Sequence, residues 1–266
     1  MDESRRRFLK EAGCAALGVG CGFPLLNAAC NASGQEDAAP TESSSQWAMV
    51  VDIQRCLEEV RRACTEACHR EHNVPDIPDP GDEVKWIWSE EYQRVFPDQV
   101  HARTAAARRE MPVLVLCNHC TNPPCVRVCP TGATWKRDTD GIVMMDMHRC
   151  IGCRYCIAAC PYGARSFNWK DPRDYLEQDA NGGFPSDYPT RSKGVVEKCN
   201  FCAERLREGQ VPACVEAVDD VPGGAGALTF GDATDPASEV SRILRERHTI
   251  SRRVSLGTEP NVFYVV

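Results

Sequence analysis

Cys150-Ile-Gly-Cys153-Arg-Tyr-Cys156-Ile-Ala-Ala-Cys160-Pro161 carries three thiols separated by two residues each, then a fourth after three residues and a proline. Thiolate sulfur is a soft ligand, and this spacing is one that holds [4Fe–4S] cubes. The first three sulfurs wrap one cube in a tight loop. The fourth starts on a helical turn that points away, so it serves a neighbouring cube. Gly152 lets the backbone approach inorganic sulfide, and Pro161 ends the turn. A structural zinc site would instead pair two CxxC knuckles across a long spacer. A run that gives its fourth ligand away needs a partner run.

Cys117-Asn-His-Cys120-Thr-Asn-Pro-Pro-Cys125-Val-Arg-Val-Cys129-Pro130 is that partner. It has two extra residues before its third cysteine and keeps the terminal x3-Cys-Pro. Exchanging the fourth cysteines gives two complete sets, Cys117, Cys120, Cys125 and Cys160 for one cube, and Cys150, Cys153, Cys156 and Cys129 for the other. His119, lying between two ligands, reads as a hydrogen-bond donor to the site rather than a ligand. Arg154 and the backbone around Gly152 are further candidates for tuning the electronics.

These loops must hang on short regular elements. Trp47–Ile53 reads as a strand closed by Asp52-Ile53-Gln54-Arg55-Cys56. The phrase returns as Asp146-Met147-His148-Arg149-Cys150 after the strand Ile142–Met145. Cys129-Pro-Thr-Gly-Ala133 is echoed by Cys160-Pro-Tyr-Gly-Ala164. The body is therefore a duplication of strand, cluster loop and helical turn. Asp138-Thr139-Asp140-Gly141, between Ala133–Arg137 and Ile142–Met145, marks a β-hairpin. The expected fold is α+β, a tandem bacterial-ferredoxin-like body of pseudo-two-fold symmetry, with short antiparallel hairpins, cluster loops and long loop insertions.

The chain has 266 residues and 17 cysteines, of which Cys14, Cys21 and Cys30 fall in the first thirty residues. That is too long a chain for a disulfide-stapled mini-protein, and CxxC grouping favours metal. The formal charge of −7 argues against nucleic-acid binding. Ser4-Arg5-Arg6-Arg7-Phe8-Leu9-Lys10 matches the twin-arginine export signal, and Ala12–Ala29 supplies a mildly apolar stretch too short and too glycine-rich for a permanent span. That route carries proteins folded around their cofactors. Asn27-Ala28-Ala29-Cys30 resembles a lipoprotein box only loosely, with Asn27 where an aliphatic residue belongs. Residues 1–30 are read as a twin-arginine signal peptide, 31–46 as a polar linker, and 47–266 as the body.

Two further cysteine groups are incomplete. Cys199-Asn-Phe-Cys202, followed by Cys214, spans a polar helix over 203–208 but has Val218 where a fourth cysteine would stand. Cys64-Thr-Glu-Ala-Cys68 keeps the terminal spacing, with Cys56 upstream and Arg61 in the middle position. His69 and His72 follow Cys68 as conceivable, less favoured ligands. Residues 71–112, with Trp86, Trp88, Tyr92 and Phe96, read as an insertion that covers either a partner-facing edge or the protein's own core. Residues 170–194 read as a surface loop. The tail, 231–266, is expected to form a helix over 236–247 with Asp235 as N-cap and Pro236 at N1, then a docking strand at Val262–Val266.

The twin-arginine leader, the order of the four groups, and the phrases Cys117-Asn-His-Cys120-Thr-Asn-Pro-Pro-Cys125, His148-Arg-Cys-Ile-Gly-Cys-Arg-Tyr-Cys156 and Val196-Glu-Lys-Cys-Asn-Phe-Cys202 resemble the multi-cluster ferredoxin subunits of membrane-bound oxidoreductases, the NrfC, PsrB and HybA types. Cys68-His-Arg-Glu-His-Asn-Val-Pro75, Asp146-Met-His-Arg-Cys150, Arg165-Ser-Phe-Asn-Trp169 and the tail from Gly226 are similar to the DsrO type, the periplasmic subunit of DsrMKJOP complexes. The resemblance implies that the first group pairs with the fourth. Cys199, Cys202 and Cys214 then recruit Cys68 for a third cube, joining 47–70 with 195–230 as an outer unit beside the inner unit 113–169. The fourth cube loses two ligands at Arg61 and Val218, so three [4Fe–4S] clusters are expected. Cys56 and Cys64 are left over, free to pair as a disulfide in an oxidising compartment. The implied role is non-catalytic electron transfer in the periplasm, peripheral to the membrane. The implied partners are a quinone-interacting NrfD/DsrP-like membrane subunit, a multihaem cytochrome c and further Dsr subunits. The alternative is the ferredoxin subunit of a periplasmic molybdopterin oxidoreductase.

Overall fold

The computed structural model describes residues 45–178, 183–184 and 186–266, all within the compact unit Ser44–Val266. The expected leader and all but the end of the linker lie outside the described residues. The body opens with β1 (Trp47–Asp52), whose residues Ala48–Asp52 are all buried. Burial on both faces follows from its central place in a four-stranded sheet of order β8-β1-β10-β9. Alternation along the strand divides the two faces. Ala48 and Val50 meet the C-terminal helix residues Val240 and Ile243, while Met49 and Val51 enter the main core.

α1 (Glu58–Glu71) begins with Glu58 and Glu59 and ends with His69 and Arg70, charges that complement the helix dipole. Its buried stripe is Val60, Cys64, Ala67 and Cys68, so helical periodicity alone turns both cysteines inward. β2 (Ile87–Glu91) then pairs with β3 (Pro112–Leu116), antiparallel, across α2 (Tyr92–Val95) and α3 (Ala106–Arg109). Trp86, Tyr92, Val95 and Phe96 are buried in the main core. Of the two readings of the 71–112 insertion, the aromatic residues therefore serve the protein's own interior.

α4 (Pro124–Arg127) follows the first CxxC loop, and β4 (Thr134–Lys136) pairs with β5 (Val143–Met145) as the Asp-Gly turn requires. Gly141 takes φ +73°, and its N–H donates to the Arg137 carbonyl at 3.0 Å. α5 (Tyr155–Ala159) carries the end of the opening run and packs against α4. β6 (Ser166–Phe167) and β7 (Val196–Glu197) form a second short ladder that delivers the chain to Cys199. α6 (Ala203–Arg207) and α7 (Ala213–Asp219) follow, and α7 packs on α1 with Cys214 and Val218 facing inward.

The tail departs from expectation twice. β8 (Leu228–Asp232) runs antiparallel to β1, and α8 spans Glu239–Glu246, shorter than the helix expected over 236–247. Its N-cap is Ser238, whose hydroxyl accepts from the Ser241 N–H at 3.1 Å. Asp235 instead closes a turn on the Ala237 N–H at 2.8 Å, so Pro236 lies outside the helix. After β9 (Thr249–Ile250), β10 (Val262–Val265) inserts parallel to β1 and antiparallel to β9. Expected as a docking strand among antiparallel hairpins, it is an interior strand of the largest sheet. The fold is thus a mixture of short helices and small sheets around one main core. Among the described residues, no helix is long and apolar enough to cross a membrane.

Candidate iron–sulfur cluster sites

β3 runs directly into the first loop, so four consecutive buried residues, Val113–Leu116, anchor Cys117. Cys120 follows a turn in which buried His119 takes φ +41°. Cys125 rides on α4, begun by two prolines, and Cys160 caps the C-terminus of α5. These four cysteines line one cavity with Pro123, Pro124, Tyr162 and Arg165. Among the described residues, no three His, Cys, Asp or Glu side chains stand close enough to hold a single metal ion. Burial first, then the charge of neighbouring Cys117, pushes the Cys120 thiol up to about 12, and the same two causes raise Cys160. Thiols so placed ionise readily only against a metal that takes the thiolate directly.

The structure brings Cys129, Cys150, Cys153 and Cys156 together around a second cavity, with Thr131, Met145, Ile151 and Arg154. The Val196 N–H points at the Cys150 sulfur at 3.4 Å, and the Thr131 hydroxyl lies 3.6 Å from the Cys129 sulfur. Burial works to raise Cys129, yet the hydrogen bonds around it from Thr134 and Thr131 prevail and hold it below its ordinary value. Gly152 has φ +68°, and a Cβ there would lie 2.3 Å from the Gly194 carbonyl oxygen. Its close approach is therefore to the 194 loop, a reason for glycine that the motif alone does not reveal. Arg154, at φ +63°, lays its guanidinium over Phe167 and Trp169, 5.3 and 4.7 Å from the ring centroids.

Cys68, Cys199, Cys202 and Cys214 are all buried and come from α1, the loop after β7, the start of α6, and α7. The Cys68 thiol is held well above its ordinary value by burial, and next by the charges of Cys199, Cys202 and Cys214, which identifies the four as neighbours. The loop is tight: Phe201 and Cys202 both take positive φ, and Asn200 accepts from the Cys202 N–H at 2.9 Å. His72 stands behind Cys68 with its Nδ1 3.1 Å from the Cys68 carbonyl and its ring on Trp86. It braces that turn of α1. Burial brings it down to about 4.

The remaining group is different. Cys56 and Cys64 are buried free thiols, and the disulfide envisaged between them is not formed. The Cys64 sulfur points instead to the Cys214 carbonyl at 3.4 Å. Arg61 turns its guanidinium back onto the Cys56 carbonyl, and Val218 is fully buried in the apolar core with Val60 and Leu228. Burial, only partly offset by Arg61, pushes the Cys56 thiol up to about 12.

The first set adjoins each of the other two. Arg165, buried, donates from Nη2 to the Cys125 sulfur at 3.1 Å and to the Thr134 hydroxyl at 2.8 Å, and it also acts on Cys156 of the second set. Cys117 of the first set is close enough to Cys199 of the third to raise its thiol, after the larger effect of burial. His119 stacks on Phe201 with ring centroids 3.7 Å apart, and its Nδ1 accepts from the Val143 N–H at 3.1 Å. Lys198 is buried and donates to the carbonyls of Val143 and Cys199. The motif reading missed Arg165, Lys198 and the buried Arg191–Glu197 ion pair beside Cys68. For Lys198, a cation next to a candidate ligand was a visible signal. Arg165 has none, because only folding carries it between two motifs.

Residues 112–174 match the family model described as a 4Fe-4S dicluster domain. The whole chain is similar to the Hdr-like menaquinol oxidoreductase iron-sulfur subunit 1 of Archaeoglobus fulgidus, 41% identical over 98% of this chain and 97% of that one. One subunit of the tetrathionate reductase of Salmonella typhimurium is 33% identical over 100% of this chain and 89% of its own length. Protein NrfC of Escherichia coli is 33% identical over 100% and 96%.

Proposed function

This chain belongs to the NrfC/PsrB-like family of iron–sulfur subunits, and from that premise we propose that it holds three [4Fe–4S] clusters and works as an electron relay in a DsrMKJOP-type complex of dissimilatory sulfur metabolism. Like its relatives it is an electron-transfer subunit and performs no substrate chemistry of its own. In this reading the ligands are Cys117, Cys120, Cys125 and Cys160 at the first site, Cys150, Cys153, Cys156 and Cys129 at the second, and Cys199, Cys202, Cys214 and Cys68 at the third. Each cube, when bound, takes up and releases one electron.

The observation that carries the proposal is the adjacency of the sets. Cys125 and Cys156 share Arg165, and Cys117 neighbours Cys199, so the first site has both the second and the third beside it. The packing of α4 on α5 and of α1 on α7 supports a tandem ferredoxin-like body with an inner and an outer unit. The relay would stand in the periplasm after twin-arginine export and reach the quinone pool through an NrfD/DsrP-like membrane subunit. A multihaem cytochrome c and further Dsr subunits complete the assembly. The menaquinol oxidoreductase relative supports the quinone link.

Quantifying iron and acid-labile sulfide on anaerobically purified protein tests the count. We expect about twelve irons per chain, four for each cube; about sixteen would restore the fourth site. The tetrathionate reductase relative favours a second reading, the ferredoxin subunit of a molybdopterin enzyme. Affinity purification from the native membrane separates the two. Recovery of a molybdopterin subunit supports the second reading, and recovery of a polytopic membrane subunit with a c-type cytochrome supports the first.

A further inference from the structure

Among the described residues, Arg165, Lys198 and Arg252 are cations buried without a carboxylate partner, 4%, 2% and 4% exposed; Arg252 lies on the Tyr162 ring and carbonyl, whereas Arg165 and Lys198 reach the cysteine sets themselves. The contrast is Arg191, equally buried, whose Nε donates to Glu197 Oε2 at 2.7 Å. Withdrawing a charge from water is costly unless an anion takes the place of the solvent. For Arg165 the surroundings are the Cys125 sulfur at 3.1 Å, the Thr134 hydroxyl and the Met145 sulfur at 3.7 Å. For Lys198 they are the carbonyls of Val143, which lines the first cavity, and of Cys199, a ligand of the third site. The anions at hand are cysteine sulfurs.

We propose that Arg165 and Lys198 are built-in counter-charges of the cluster sites, Arg165 raising the reduction potential of the first and second sites and Lys198 that of the first and third. This rests on the cluster occupancy proposed above. A fixed positive charge stabilises the reduced, more negative form of each site it faces, and burial keeps salt from screening it. The geometry gives that reach: Arg165 Nη2 lies 3.1 Å from the Cys125 sulfur, and Lys198 donates to the Val143 carbonyl in the lining of the first cavity. The first site adjoins both cations.

The test is an electron-paramagnetic-resonance redox titration of the whole purified protein and of Arg165→Gln, Arg165→Lys, Lys198→Met and Lys198→Arg. Signals are assigned with Cys120→Ser, Cys153→Ser and Cys202→Ser, and iron and sulfide are measured first. Arg165→Gln should lower the midpoints of the first and second sites, and Lys198→Met those of the first and third. Each shift should reach at least tenfold in the oxidised-to-reduced ratio, about 59 mV for a one-electron couple. Arg165→Lys and Lys198→Arg should stay close to the unaltered protein. Fully loaded neutral variants with unchanged potentials overturn the proposal, as do charge-conserving variants that shift as far as the neutral ones. Loss of cubes from a neutral variant that its charge-conserving counterpart retains also supports the counter-charge. Loss from both marks a purely structural role and overturns it. Absence of iron from the unaltered protein would refute the occupancy itself, a distinct result seen before any potential is measured.

Discussion

Two missing cysteines separate the fourth group from the third. Cys68 and Cys64 share the buried stripe of α1, one turn apart, yet Cys68 stands among three other thiols while Cys64, its sulfur on the Cys214 carbonyl, has only Cys56 and Cys214 beside it. A fourth set would need two more thiols, and Arg61 and the fully buried Val218 stand in those positions. Cys68→Ser is therefore expected to remove one cube, lowering iron by about a third, four of twelve. Cys56→Ser and Cys64→Ser should leave the iron content unchanged. Iron and sulfide analysis of the three variants checks this, and equal losses in all three would return Cys56 and Cys64 to the ligand set. The histidines behave as residues around a site: His72 braces the α1 turn and His119 receives a backbone N–H.

Elements place the cysteines by a few local devices. Helix α8 holds the sheet from one side, and its start is fixed by the Ser238 hydroxyl rather than by Asp235. Asp235 and Ser238 both have cap-forming side chains, and the one immediately before the apolar positions Val240 and Ile243 takes the role, since burial of that face sets where the helix begins. Ser238→Ala should cost about 1 kcal/mol of stability, read as a lower thermal midpoint. Asp235→Ala, outside the helix, should cost less. Hairpin β4–β5 was legible because an Asp-Gly turn is a local signal. The length of the β2–β3 connection was not, because Ile87 and Leu116 meet only through the core between them.

At the scale of the molecule, the tail closes the first site. Asn261 donates from its backbone to the Asn118 carbonyl at 2.9 Å and from Nδ2 to the His119 carbonyl at 2.8 Å. The Thr121 and Asn122 N–H groups donate to Glu259 and Thr258 at 2.9 and 3.0 Å. The loop from Cys117 to Cys120 is thus held by a segment some 140 residues away in sequence. Asn261→Ala leaves the His119 carbonyl without its donor, and a buried unsatisfied carbonyl costs about 1–3 kcal/mol. The variant should melt at lower temperature and bleach faster in air at the first site, followed by visible absorption. Equal melting and bleaching to the unaltered protein would mean that the Asn261 side chain contributes nothing to that loop.

The sequence by itself pointed to the iron–sulfur chemistry and to most of the cysteine groups that the fold brings together, because cluster binding is written in spacings of two and three residues that only a local loop can satisfy. It also determined the Asp-Gly hairpin and the first strand, each set by near neighbours. Tertiary structure alone decided the parallel insertion of β10 beside β1, the burial of the 71–112 aromatics in the main core, and the placing of Arg165 and Lys198 between motifs. It brought Cys68 beside Cys199, Cys202 and Cys214, a grouping that spacing could not dictate and only family resemblance implied. The physical reason is the same in each case. These arrangements arise where distant segments are pressed together to exclude water, and a buried charge finds its counter-charge only after the chain has closed around it.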